Sequence, residues 1–255
     1  MDVSAVAQSP SSLAVTTRLD ESVAVLTVEG VLDTGNSAAL RDTIVKTMVD
    51  EPSAVIVNVS GLQAPAQSAW SSLIGARWQA ARPDVPIVLV SSHRATREAL
   101  SSSEVASFMP VLSTEKSAMK ALAQLTRRTV RCADSELPAD LSSLRASRGL
   151  VREWLTSWSQ AKLIPIALVV VNVFVENVLE HTGSVPMMWA ETDGATATIA
   201  VSDDSNTPAV RLRSPANGID VSGLAIVDAL ARAWGSTPTS SGKTVWAVVG
   251  PENQL

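Results

Sequence analysis

The chain has 255 residues, 46% of them hydrophobic and 18% charged, with a formal net charge of −5. At roughly 150 residues per domain this makes one large domain or two small ones, either able to bury a core without disulfides or a structural metal. A single cysteine, Cys132, excludes an internal disulfide framework and a cysteine-rich zinc site. Two histidines argue against a multi-histidine metal centre, and the acidic balance argues against direct nucleic-acid binding.

The first residues are polar and lack the basic start and apolar core of a signal peptide. The longest apolar run, residues 163–175, is interrupted by Pro165 and Asn172 and is too short to cross a bilayer, so a soluble cytoplasmic protein without membrane contact is expected. Seven Trp, two Phe and no Tyr are scattered along the chain, which reads as core and interface anchoring rather than a platform for stacked bases.

In chain order, residues 22–28 (SVAVLTV) predict a strand closing on Gly30. Residues 37–49 carry Leu40, Ile44, Val45 and Met48 at helical spacing, with Asn36 or Ser37 as the cap. A buried strand is expected at 54–59, a helix at 68–81, and a third strand at 85–90. A short helix at 95–100, a strand near 106–111 and a helix at 115–125 follow. Strands alternating with helices predict a mixed sheet with helices against it. Residues 127–140 are charged, contain Pro138 and show no apolar period, so they read as a linker. Two long helices, 141–158 and 166–179, open the second half; the latter is apolar nearly all round and should be central. Strands at 185–191 and 196–202, a loop at 203–220, a helix at 223–234 and a strand at 244–249 complete an α/β sandwich.

Three features of the second half occur in a telling order: Glu176-Asn177-Val178-Leu179-Glu180-His181, then Asp203-Asp204-Ser205-Asn206-Thr207-Pro208, then Ser222-Gly223-Leu224 with Gly242-Lys243-Thr244-Val245-Trp246. Together they resemble the nucleotide-binding fold shared by histidine kinases, gyrase-type ATPases and bacterial anti-sigma-factor serine kinases, in its short actinobacterial form. The resemblance implies that Asn177 holds Mg²⁺, that Asp203 accepts the adenine amino group of ATP, and that Thr244 supports it directly or through water. It also implies that Gly223 lets the backbone approach the phosphates at a helix N-terminus. Taken one at a time, Asn177 reads first as a helix-terminal polar residue and Asp203 as a loop cap, and it is the ordered set that favours the nucleotide reading. His181 and Asp204 read as surface groups.

Active kinases of this type carry a glutamate four residues before the Mg²⁺ asparagine. Here that residue is Val173, which cannot accept a proton. Asn172 points about 100° away around the helix, and Glu180 lies almost two turns from position 173.

In the first half, Gly30-Val31-Leu32-Asp33 and Asn58-Val59-Ser60-Gly61-Leu62 resemble landmarks of the STAS domain, the fold of anti-sigma-factor antagonists. Where such antagonists carry Asp-Ser-Ser-Gly, this chain reads Ala66-Gln67-Ser68-Ala69. Ser68 has two readings: a phosphate acceptor at a helix N-terminus, or a cap for that helix.

The expected organisation is therefore a STAS-like domain at 13–126, a linker at 127–140, and a kinase-like ATP-binding domain at 141–250. Three functions fit it. The first is a partner-switching regulator that binds Mg-ATP, with a sigma factor, an anti-sigma factor or a STAS antagonist as partner and with little or no kinase activity. The second is an active serine/threonine kinase phosphorylating a STAS partner. The third is a scaffold that binds no nucleotide. Domains of this nucleotide-binding type often dimerise, so a homodimer is a further expectation.

Overall fold

The structure is a computed structural model that describes residues 13–33, 35–64, 67–79, 85–125, 130–209 and 223–253. The chain divides into two compact units at Leu122–Ala123.

The first unit is built on a five-stranded sheet in the order β1-β2-β3-β4-β5. Its strands are β1 (Leu13–Asp20), β2 (Val23–Val31), β3 (Ala54–Gln63), β4 (Ile87–Val90) and β5 (Val111–Leu112). β1 pairs antiparallel with β2 and the remaining pairs are parallel. The helices are α1 (Ser37–Val49), α2 (Ser71–Gln79), α3 (Arg94–Ser101) and α4 (Glu115–Leu125). Each of the first three connects a pair of parallel strands, which need a long crossover. All four residues of β4 are buried, as are Ala54 to Val57 of β3. Parallel strands covered on both faces read as continuous apolar runs, which is why the sequence predicts them well.

The differences lie at edges and ends. β1 was not expected, since most of its side chains are exposed and only the ladder to β2 defines it. The strand expected near 106–111 is a 3₁₀ turn at Glu104–Ser107 followed by the two-residue β5. Asn36 is the N-cap of α1, but its side chain turns back into the preceding loop. There Nδ2 donates to Val31 O at 2.8 Å, and Oδ1 accepts from Asp33 N at 3.0 Å.

The second unit holds a five-stranded antiparallel sheet in the order β6-β7-β8-β10-β9. Its strands are β6 (Arg131–Glu136), β7 (Met187–Thr192), β8 (Ala197–Asp203), β9 (Ala233–Pro238) and β10 (Lys243–Val249). Helices α5 (Ser142–Ser157), α6 (Ile164–His181) and α7 (Gly223–Leu230) complete it. α6 packs on β8 and β10, with α5 and α7 beside it. Val170, Val171, Phe174 and Val178 of α6 meet Ile199, Val201, Val245 and Ala247 of the sheet in one core.

Two elements correct the sequence reading. Residues 131–136, expected inside a linker, form edge strand β6. Its composition gives no strand signal, and its structure comes from the ladder to β7. The helix expected to run to Trp234 ends at Leu230, and Ala233–Pro238 becomes β9 against β10. α6 is also longer than its apolar run suggested, because Pro165 sits in the first turn, where a missing N–H costs no helix hydrogen bond. By length and hydropathy Ala161–His181 is sufficient to cross a membrane, but half of its apolar window is buried within the unit.

Candidate functional site

The end of α6, the end of β8, the start of α7 and the start of β10 surround a cavity of about 520 Å³. That volume suits a small organic ligand. Its polar wall comprises Asn177, Glu180, His181, Thr182, Asp203, Ser205, Thr207 and Lys243, and its apolar wall includes Phe174, Val178, Leu224 and Val245. Three of the four residues expected to bind nucleotide, Asn177, Asp203 and Gly223, therefore share one cavity. His181 and Asp204 are exposed as expected, and His181 also lines the cavity.

Asp203 is buried at the strand end. Its Oδ1 accepts from Ser205 N at 2.8 Å, so it also shapes the turn leaving β8, and from Lys243 Nζ at 2.8 Å. The ion pair is nearly dry, with side-chain exposures of 9% for Lys243 and 2% for Asp203. Gly242 permits this arrangement: a Cβ there would lie 2.0 Å from Asp203 O and 2.6 Å from Asp204 Cα.

Thr244 is a correction. The register sets Lys243 opposite Asp203 and Thr244 opposite Ser202. Successive side chains leave a strand on opposite faces. The Thr244 hydroxyl consequently bonds Ser202 Oγ at 2.7 Å and lies outside the cavity. Lys243 is the residue missed. It belongs to a motif singled out in the sequence, but choosing between adjacent positions requires the register with β8.

Asn177 is half-buried, and its Nδ2 is fully buried without a hydrogen-bond partner. A buried amide donor left unpaired costs free energy, so an acceptor on a ligand would satisfy it. Among the described residues no cluster of His, Cys, Asp and Glu forms a ready metal cage. An ion here would depend on Asn177, ligand oxygens and water, the usual manner for Mg²⁺.

Gly223 has a packing role not anticipated. A Cβ at this position would fall 2.8 Å from Val173 Cγ1, so the valine seats directly on the first turn of α7. Both residues also border a neighbouring hollow of about 480 Å³, with Arg148, Asn172, Glu176 and Ile226. Arg148 Nη1 donates to Asn172 Oδ1 at 2.5 Å, and Asn172 Nδ2 donates to Glu176 Oε1 at 2.7 Å. Val173 presents an isopropyl group, and no proton acceptor, to the first turn of α7.

In the first unit, Ser68 falls in the 3₁₀ turn Gln67–Trp70 that leads into α2. Its side chain, like the preceding residues 65–66, lies outside the described residues. Elsewhere in this unit, Asn58 Nδ2 of β3 donates to Glu115 Oε1 at 2.9 Å, and Arg18 of β1 pairs with the same carboxylate.

The STAS domain family model matches residues 14–118, so the first unit is a STAS domain. Among solved structures, an anti-sigma factor antagonist from Mycobacterium paratuberculosis is similar at 19% identity, covering 46% of this chain and 99% of its own, with a TM-score of 0.40. Unphosphorylated SpoIIAA, also an anti-sigma factor antagonist, is similar at 17% identity over 44% of this chain and 97% of its own, with a TM-score of 0.36. Moorella thermoacetica RsbS shows 16% identity over the same shares, with a TM-score of 0.37. No curated protein matches the chain.

Proposed function

We propose that this protein is a cytoplasmic partner-switching regulator in which an antagonist-like STAS domain is joined to a unit that binds Mg-ATP. The STAS match over residues 14–118 supports the first half of this reading, because anti-sigma-factor antagonists use that fold. Its protein partners are then a sigma factor, an anti-sigma factor or another STAS antagonist, and it controls transcription through them rather than by contacting nucleic acid.

The observation that carries the second half is the orphaned Nδ2 of Asn177, in the same cavity as the buried Asp203 carboxylate. Asn177 would hold Mg²⁺ through its amide oxygen, and its unpartnered Nδ2 would be satisfied by a ligand oxygen. Asp203 accepts from the base, and the N-terminal first turn of α7 at Gly223 faces the negative charge of the phosphates. Bound Mg²⁺ supplies charge neutralisation of the phosphates. Val173 against Gly223 supports a binding role with weak or no phosphoryl transfer, since no proton acceptor occupies that position.

Calorimetric titration of the full chain with Mg-ATP, beside Asp203→Asn, tests the reading. Micromolar binding by the wild type and its loss in the variant are expected. Absence of binding by the wild type would leave the protein as a nucleotide-free scaffold.

A further inference from the structure

Among the described residues the Lys243 ammonium makes one hydrogen bond, to Asp203, although it has three donors and the residue lines the cavity. We propose that Lys243 reads the nucleobase, donating to N1 of an adenine whose exocyclic amine is accepted by the Asp203 carboxylate. The inference rests on the nucleotide reading above and adds to it the residue that decides which purine enters.

Asp203 and Lys243 sit side by side at 2.8 Å, so the wall of the cavity presents an acceptor next to a donor. Adenine offers the complementary edge, an amino donor at C6 next to the acceptor N1. Guanine in the same seat offers the reverse order: O6 would face the carboxylate, and N1–H would face the ammonium. A hydroxyl in place of Lys243 could turn to donate or accept, whereas an ammonium has no acceptor and cannot adapt. The lysine thus excludes guanine by creating a second mismatched contact, rather than only by rewarding adenine. Its near-complete burial strengthens both effects, because water is poorly placed to fill an unmet bond.

The test is calorimetric titration of the full chain with Mg-ATP, Mg-GTP and the magnesium complex of 1-deaza-ATP, in which N1 is replaced by C–H. Wild type is expected to bind 1-deaza-ATP at least about tenfold more weakly than ATP, the loss of one charge-assisted hydrogen bond. GTP is expected to bind about a hundredfold more weakly or worse. In Lys243→Met the gap between ATP and 1-deaza-ATP should close to within about twofold, whatever happens to overall affinity. Equal binding of ATP and 1-deaza-ATP by the wild type would overturn the role of Lys243 while leaving the nucleotide site standing. A gap that persists in Lys243→Met would do the same. No binding of ATP by the wild type would overturn both readings. The wild-type comparison with the analogue needs no variant, so it decides the matter even if Lys243→Met does not fold.

Discussion

Replacing Lys243 by Met should destabilise the second unit by about 3–5 kcal/mol, because it strands a carboxylate that is almost fully enclosed. At 2.8 Å and an effective dielectric constant of about 20, the attraction within the pair is about 6 kcal/mol. Desolvation of two ions costs several kcal/mol each, so the intact pair contributes little relative to apolar side chains of similar size. Removing one partner leaves the penalty without the attraction. Ser205 N still donates to Asp203 Oδ1, which places the expected loss toward the lower end of the range. The double variant Lys243→Met with Asp203→Leu removes both charges, and should be more stable than Lys243→Met by about 2 kcal/mol or more. Urea unfolding supplies the free energies, and hydrogen exchange in peptides covering β8 and β10 reports this unit separately from the STAS domain. A single variant within about 0.5 kcal/mol of wild type, the behaviour of an exposed pair, would refute the reasoning. So would a double variant no more stable than Lys243→Met.

Asn177→Leu should stabilise the nucleotide-free protein by about 1 kcal/mol, since it removes a buried unpaired donor, while abolishing the rise in Tm on adding Mg-ATP. Thermal melts with and without Mg-ATP check both halves of that statement. Gly242→Ala should cost about 3 kcal/mol, because its Cβ would lie 2.0 Å from Asp203 O and the backbone must move; chemical denaturation measures it. The Asp140 carboxyl is held below its ordinary range by bonds from the Ser142 side chain and backbone at the start of α5. A lowered folded pKa means stability present above the ordinary carboxylate range and lost as pH falls through the folded value. Asp140→Asn should therefore lower Tm at pH 7 and lose that effect in acid, as paired melts across pH would show.

The sequence was most legible where local pattern and burial agree. β4 and Ala54 to Val57 of β3 are continuous apolar runs with every residue buried, and α6 carries a long apolar segment that lies at the centre of its unit's core. The ordered motifs around Asn177, Asp203 and Gly223 likewise pointed to three elements that do surround one cavity. β1, β6 and β9 were invisible because they are edge strands, held by one neighbour and free to carry almost any solvent-facing residues. The same reason explains Thr244. Sequence marks Gly242-Lys243-Thr244 as the entry to a strand, but only pairing with β8 decides which side chain faces Asp203. A shift of one residue reverses the answer. Composition and periodicity thus fixed which segments are strands and helices in the core. Tertiary structure alone decided edge pairing, register and the partner of each charge, because those depend on contacts between residues distant in the chain.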